Sequence, residues 1–430
     1  MDSLIKLKQD FVNQIQCFEI TKYPNKEIVV LHSYIKGNNS LLNWLKAQTS
    51  YPQFYFHYRD QNKIIATIGN TRTFYDQQQA CHFTQQEQQT LVGGVQFNGE
   101  AYFVLPKIFL QQEQNTIYAK LIIDLKKNWD SEKQELLQLL EQFNQVKVTQ
   151  TLAQNITFIS QTNNQQAWCN WVEQALNAIE QGKFNKVVLA NDSCYQSNIA
   201  INPYDFLAAS EKYNKGCYHF LLAQNENETF LGSSPECLYQ RNHQQLNTEA
   251  LAGTAKYSEN EQENQQQAHW LLNDEKNIYE NALVAKDIAQ NLSPYLENIY
   301  IGERTIKVLR KVQHLKRLIK VNLKNNVSDN DCLNAIHPTA AVAGLPKKQA
   351  LKFLTENEHF SRRWYAGTLG ILSKDEAEFC VTIRSAIIKN NHIQVFAGAG
   401  IVAGSIPLVE WQEIERKALG LISLLQQTKR

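Results

Sequence analysis

The run Asn185-Lys186-Val187-Val188-Leu189-Ala190 constrains the fold more than any other segment. It is apolar and β-branched, the pattern of a strand packed on both faces inside a layered fold. Lys186 interrupts it with a charge. Burying a lysine disfavours its charged form, which makes a buried amine a candidate base near neutral pH. The competing reading is an edge-strand lysine whose stem snorkels to water.

A chain of 430 residues has room for one large intertwined domain or two ordinary ones. Net charge is +1 and no long basic run occurs, so no nucleic-acid surface is expected. Residues 1–16 lack a continuous apolar core, so no signal peptide is expected, and no apolar stretch reaches membrane-spanning length. The eight cysteines are scattered without a Cys-x-x-Cys pair. That pattern argues against zinc and against a disulfide framework, and it fits a reducing cytoplasm.

Residues 1–155 mix short strands (28–31, 63–68, 101–105 and 116–123) with amphipathic helices and hold no compact chemical motif. Residues 156–430 hold the rest. Trp168, Trp171, Val172, Ala175 and Ile179 share one helical face. Residues 262–292 read as one long helix with the stripe Ile278, Ala282, Ala285, Ala289, Leu292, closed by Pro294. A last helix is expected to open at Ser405-Ile406-Pro407, with serine as N-cap and proline in the first turn, and to run to about residue 426. Strands and helices together give an α/β (α+β) class.

Gly398-Ala399-Gly400-Ile401-Val402-Ala403 matches a dinucleotide fingerprint and follows a strand at 392–397. Too little chain remains to complete a βαβ unit, so a glycine loop whose N–H groups hold a carboxylate is the better expectation. Glu236 ends the tight turn Gly232-Ser233-Ser234-Pro235-Glu236. Glu280 projects away from the Ile278 stripe, and periodicity alone makes it a solvated surface acid. Glu410 and Glu413 share a face in the first turns of the last helix, with Lys417 one turn on. Carboxylates from two helices would suit a hard cation such as Mg²⁺, although acids at a helix start also suit its dipole. Arg384 reads as a charge on the apolar strand Val381-Thr382-Ile383-Arg384-Ser385, suited to a carboxylate or to a structural ion pair. Tyr365 could bind the same anion or belong to the core.

Taken together, these segments resemble the chorismate-utilising enzymes, most closely their isochorismate synthase branch of the menaquinone pathway. The resemblance rests on Lys186-Val187-Val188-Leu189-Ala190, Phe230-Leu231-Gly232-Ser233-Ser234-Pro235-Glu236, Thr248-Glu249-Ala250-Leu251-Ala252-Gly253-Thr254, Pro338-Thr339-Ala340-Ala341-Val342-Ala343-Gly344-Leu345-Pro346, Trp364-Tyr365-Ala366-Gly367, Ala397-Gly398-Ala399-Gly400-Ile401-Val402 and Glu410-Trp411-Gln412-Glu413-Ile414. It covers residues 165–430 almost continuously, and Tyr51-Pro52-Gln53-Phe54-Tyr55 extends it toward the N-terminus.

The resemblance implies large antiparallel sheets inside, helices outside and an active site in a deep cleft. It implies Lys186 as the base that activates water to attack ring carbon 2 of chorismate, and Glu236 as the acid that protonates the departing hydroxyl at carbon 4. Glu280 and Glu413 are the implied Mg²⁺ ligands. Tyr365, Arg384, Gly398 and Gly400 are the implied cradle of the enolpyruvyl carboxylate, with Gly253, Thr254 and Lys417 also counted as substrate-binding. Glu410 and His337 are further candidates with no assigned role. Cys237 and Ala340 depart from the arginine and proline common in the family, at positions without chemistry.

Amine-adding relatives tend to carry glutamine where Lys186 stands and to use a glutaminase partner, so no such subunit is expected. Alternatives are a salicylate synthase, isochorismate supply for a siderophore, or a silent chorismate-binding subunit. The expected partner is chorismate alone, with no nucleic acid and no membrane, in a cytoplasmic monomer.

Overall fold

The strand that begins at Lys186 extends to Ser197, and its two faces meet different layers. In this computed structural model, which describes residues 2–426, Val187 and Leu189 enter a core shared with helices. Ala190, on the opposite face, enters a core between two sheets. Side chains alternate along a strand, so Lys186 and Val188 share the Ala190 face. The apolar run is therefore continuous because each face has its own core.

Both sheets are antiparallel throughout. The twelve-stranded sheet begins with Ile28–Lys36, Thr116–Asp124, Ile108–Glu113, Lys63–Ile68 and Gln53–His57. It continues through Tyr218–Ala223, Thr229–Ser234, Ser385–Lys389 and His392–Val402 to Lys186–Ser197, which also pairs with Ile156–Gln161 and Gly344–Leu345. The ten-stranded sheet includes Val312–Leu323, Gln245–Lys256, Cys237–Asn242, Glu376–Val381, Thr368–Leu372 and Leu91–Val95 in that order. Gln53–His57 pairs with Tyr218–Ala223, and Leu91–Val95 pairs with Thr368–Leu372. Strands from the first 155 residues thus run through both sheets.

The helical layer follows its sequence pattern in part. Asn164 caps the helix Gln165–Glu180 by accepting from the Ala167 N–H, and the helix buries Trp168, Trp171, Val172 and Ala175. Trp168 meets Trp171 edge-on at 5.9 Å and Trp411 of the last helix at 6.4 Å. That last helix spans Pro407–Ile422, with Ile406 rather than Ser405 at the cap position. Ser405 is diverted because its hydroxyl accepts from the Val402 N–H at 3.3 Å. Residues 427–430, at the end of the expected catalytic region, lie outside the described residues.

Three further sequence expectations change. The long helix over 262–292 is two, Glu261–Asn273 and Glu275–Leu292, because Asp274 leaves helical geometry and caps the second by accepting from the Asn277 N–H. The second helix buries Ala285 and Leu292 of the expected stripe, but its buried face also takes in Asn277, Asn281, Leu283, Val284, Asp287 and Ile288. Two asparagines occupy that face because they bond the neighbouring strands. The Asn281 side chain donates to the carbonyls of Ala250, Ala252 and Leu315, each at 3.2 Å. The glycine segment 398–400 is no loop. It lies inside His392–Val402, with Val188 opposite Gly400 and Ala190 opposite Gly398. Arg384 is not on a strand either, since it stands between Glu376–Val381 and Ser385–Lys389 with φ at 52°.

Asn281 is the bolt between the Glu280 helix and the sheet. Its two N–H hydrogens are shared among these three buried carbonyls, and alanine would remove both, so Asn281→Ala is expected to cost about 2 to 4 kcal/mol. A urea unfolding midpoint close to wild type would rule out this anchoring role.

Candidate active site

The chain passes from the twelve-stranded sheet to the ten-stranded sheet at Pro235–Glu236, between Thr229–Ser234 and Cys237–Asn242. It passes back at 382–384. The two crossings are stapled together. Ser233 N–H donates to the Arg384 carbonyl, and Val381 N–H to the Glu236 carbonyl, both at 3.1 Å. Glu236 and Arg384 therefore arrive side by side at one cleft despite their separation in sequence.

This cleft, of about 320 Å³, is lined by Val188, Glu236, Gly253, Thr254, Glu280, Tyr365, Arg384, Gly398, Gly400, Glu410, Glu413 and Lys417, among others. Lys186 reaches it through Glu280, with Nζ 2.9 Å from the carboxylate. Glu280 is thus not the solvated acid that periodicity suggests. Its side chain is 14% exposed, beside a lysine that is 1% exposed. Eleven of the thirteen candidate site residues line the cleft; Lys186 stands behind Glu280, and His337 is the other exception. That histidine is buried elsewhere, with Nε2 at 3.1 Å from the Gln96 carbonyl.

Gly400 and Gly253 are glycines for local reasons. A Cβ on Gly400 would stand 2.6 Å from the Glu280 carboxylate and 3.0 Å from Cε of Lys186. Gly253 has φ of +86° in the bulge between Leu251 and Thr254, where a Cβ would press on Asn277 at 3.1 Å. Asn277 in turn accepts from the Thr254 N–H at 3.2 Å.

Charge in the cleft is closely paired. Lys417 bonds Glu413 at 2.6 Å and the Gly398 carbonyl at 2.7 Å, and Lys276 bonds Glu410 at 3.0 Å. Burial, and then the Glu413 charge, raise the Glu410 carboxyl. Burial also works against ionisation of Glu413, but Lys417 outweighs it and holds that carboxyl below its usual range. Glu236 differs from both. Burial pushes it up to about 8, the carboxylate of Glu249 adds to the rise, and Lys186 opposes it. Burial lowers the Arg384 guanidinium from its usual value, and among the described residues no carboxylate pairs with it. An unpaired, half-buried guanidinium in a cleft is a receptor for an anion.

Three carboxylates on two helices, each balanced only by a lysine, supply hard oxygen donors. Among the described residues no three or more His, Cys, Asp or Glu side chains are grouped closely enough to hold a metal ion by themselves. That open donor set fits a hard divalent cation that keeps waters and takes further oxygens from its substrate.

Sequence reasoning missed His314, Lys276, Asn277 and Arg416, which also line the cleft. His314 bonds the Thr254 hydroxyl at 3.0 Å, and burial, Arg384 and Lys417 push it down to about 3. It is therefore a neutral partner of Thr254. Its position on a central strand carried no signal of its own.

The sequence model of the family described as "Chorismate binding enzyme" matches residues 81–426. The chain belongs to that family. Isochorismate synthase MenF of Pasteurella multocida is 51% identical over the whole of both chains. Isochorismate synthase MenF of Escherichia coli is 35% identical over 95% of this chain and 96% of its own. The solved structure of that menaquinone-specific enzyme superposes with a TM-score of 0.89 at 34% identity, covering 97% of this chain and 100% of the other. Anthranilate synthase component I of Streptococcus pneumoniae, at 21% identity and a TM-score of 0.61, shares the fold. No helix among the described residues is long and apolar enough to cross a membrane.

Gly400→Ala tests the geometry directly. The new methyl must displace the Glu280 carboxylate or the Lys186 stem, and a misplacement of this size costs about 100-fold in rate. The expected result is that loss in kcat/KM with an unchanged circular dichroism spectrum; wild-type kinetics would show that the contact does not matter.

Proposed function

We propose that this chain is an isochorismate synthase that serves menaquinone synthesis, acting on chorismate without a glutaminase partner. Conversion of chorismate to isochorismate is the activity of its closely similar full-length relatives. The observation that carries the reading is the pairing of opposite chemistries across one cleft. A lysine amine on the sheet face acts within Coulombic reach of a carboxyl that burial holds protonated near neutral pH.

Chorismate carries two carboxylates. Arg384 and Tyr365 receive the enolpyruvyl carboxylate, and the small residues Gly398 and Gly400 leave room for the substrate beside the strand. Glu280 and Glu413 would hold Mg²⁺, with Glu410 beside them. When bound, the ion supplies positive charge against the ring carboxylate. Lys186 then takes a proton from water as that water attacks ring carbon 2. Glu236 gives its proton to the hydroxyl at carbon 4, which leaves as water while the ring double bonds shift. One water enters, one leaves, and the product is an isomer of the substrate. Water as nucleophile needs no ammonia supply, consistent with a chain that works alone.

Proton NMR of chorismate incubated with the protein is expected to reveal isochorismate in the presence of Mg²⁺ and none after EDTA. Salicylate with pyruvate would instead make it a salicylate synthase, and turnover only with added ammonia would remove Lys186 from its role. Lys186→Ala and Glu236→Gln are each expected to lose about 100-fold or more in rate while chorismate still binds.

The pH dependence has a definite sign. The proton on Glu236 is present below its pKa and lost above it, so kcat/KM is expected to fall as pH rises through about 8. A profile flat to pH 10 would contradict Glu236 as the acid.

A further inference from the structure

Glu236 is flanked on both sides by hydrogen bonds to one buried ion pair. Arg59, in the turn between Gln53–His57 and Lys63–Ile68, donates through Nη1 to the Pro235 carbonyl at 2.6 Å. It also binds Glu249 with two nitrogens, at 2.5 and 3.1 Å. Glu249, on the strand Gln245–Lys256, accepts from the Cys237 N–H at 3.0 Å. The residues before and after Glu236 are thus tied to the two halves of a single salt bridge, whose side chains are 6% and 1% exposed. Lys316 from the adjacent strand completes the cluster, 3.0 Å from the other oxygen of Glu249.

We infer that the Arg59–Glu249 pair is the positioning device of the acid Glu236, holding its backbone turn and setting the charge that its carboxyl faces. The inference rests on the reading of Glu236 as the acid. It gives residues 1–155 a part in the chemistry, through a side chain that the family motifs do not include.

Two features beyond the geometry support it. A buried, bidentate ion pair is costly to desolvate and often no more stabilising than apolar residues of the same volume, so its presence calls for a purpose other than stability. The charged groups facing Glu236 also act unequally. Glu249 raises it, whereas Lys186, Arg59 and Lys307, from three other elements, lower it; Glu280, Tyr365 and Arg384 line the same cleft. Glu249 itself stays ionised, because Arg59, Lys307 and Lys316 outweigh its burial and hold it at about 2. A permanent anion therefore stands next to a carboxyl that must keep its proton.

The test compares the alkaline limb of kcat/KM in two variants. Glu249→Gln keeps the shape and an acceptor for Cys237 but deletes the anion, so the limb is expected to move down by about one pH unit. Lys307→Met deletes from a partly exposed position one of the cations that lower Glu236, and is expected to move the limb up. A merely structural role would not shift the limb in opposite directions. If Glu249→Gln does not fold, as judged by circular dichroism, the upward shift in Lys307→Met decides alone. Unmoved limbs in the folded variants, with Glu236→Gln inactive, would overturn the clamp and leave the acid assignment standing. An active Glu236→Gln would instead remove the acid assignment.

Discussion

Two sheets that bury one face each against the other can share a chain only where the backbone leaves one ladder and enters the next. At such points backbone groups lose their strand partners and side chains stop alternating. Here the two crossings at 235–236 and 382–384 bond to each other through Ser233, Arg384, Glu236 and Val381. The acid and the free guanidinium of the cleft stand on this paired crossing. Their positions are therefore a property of the sheet topology, and the large cores on either side make that topology rigid.

The opposite wall of the cleft is regular. Val188 and Ala190 on one strand face Gly400 and Gly398 on the next, so the sheet surface is pared down where a substrate must lie. Helix Glu275–Leu292 brings Glu280 over that surface and is bolted by Asn281 to the bulge that carries Gly253. The last helix brings Glu410, Glu413 and Lys417 from the other side. Each of these three acids is paired with a lysine, whereas Arg384 has no carboxylate partner among the described residues, so an anionic substrate and a cation can exchange with the pairs and meet the guanidinium.

Much of this was legible in the chain. The continuous apolar run after Lys186 announces a strand buried on both faces, and the family motifs name most of the cleft. What failed did so for physical reasons. Apolar periodicity misjudged Glu280 because the buried helix face is set by Asn277 and Asn281, polar residues that pay their desolvation cost by bonding strand carbonyls and the Thr254 N–H. Arg384 looked like a strand residue because apolar neighbours flank a crossing as readily as a strand. The glycine fingerprint looked like a loop because glycine also serves where a neighbour's carboxylate leaves no space for a Cβ. Arg59 had no local signal at all, since its partners lie 176 and 190 residues away.

Glu236 and Glu249 show how the same residue type acquires opposite states. Both are buried, and burial alone would protonate both. Glu249 is in contact with Arg59 and Lys316 and ionises, whereas Glu236 has no cation at bonding distance among the described residues and keeps its proton to about 8. The difference is made by where two cations are anchored, and one anchor comes from a turn near the start of the chain. Ionising the first carboxylate makes ionising the second more costly, so the pair behaves as one unit in which a fixed anion keeps a neighbouring acid loaded. A site built this way must keep Arg59 against Glu249 and away from the carboxyl of Glu236. The bond from Arg59 to the Pro235 carbonyl meets that need, because it commits the guanidinium to the backbone beside the acid and to the carboxylate beyond it.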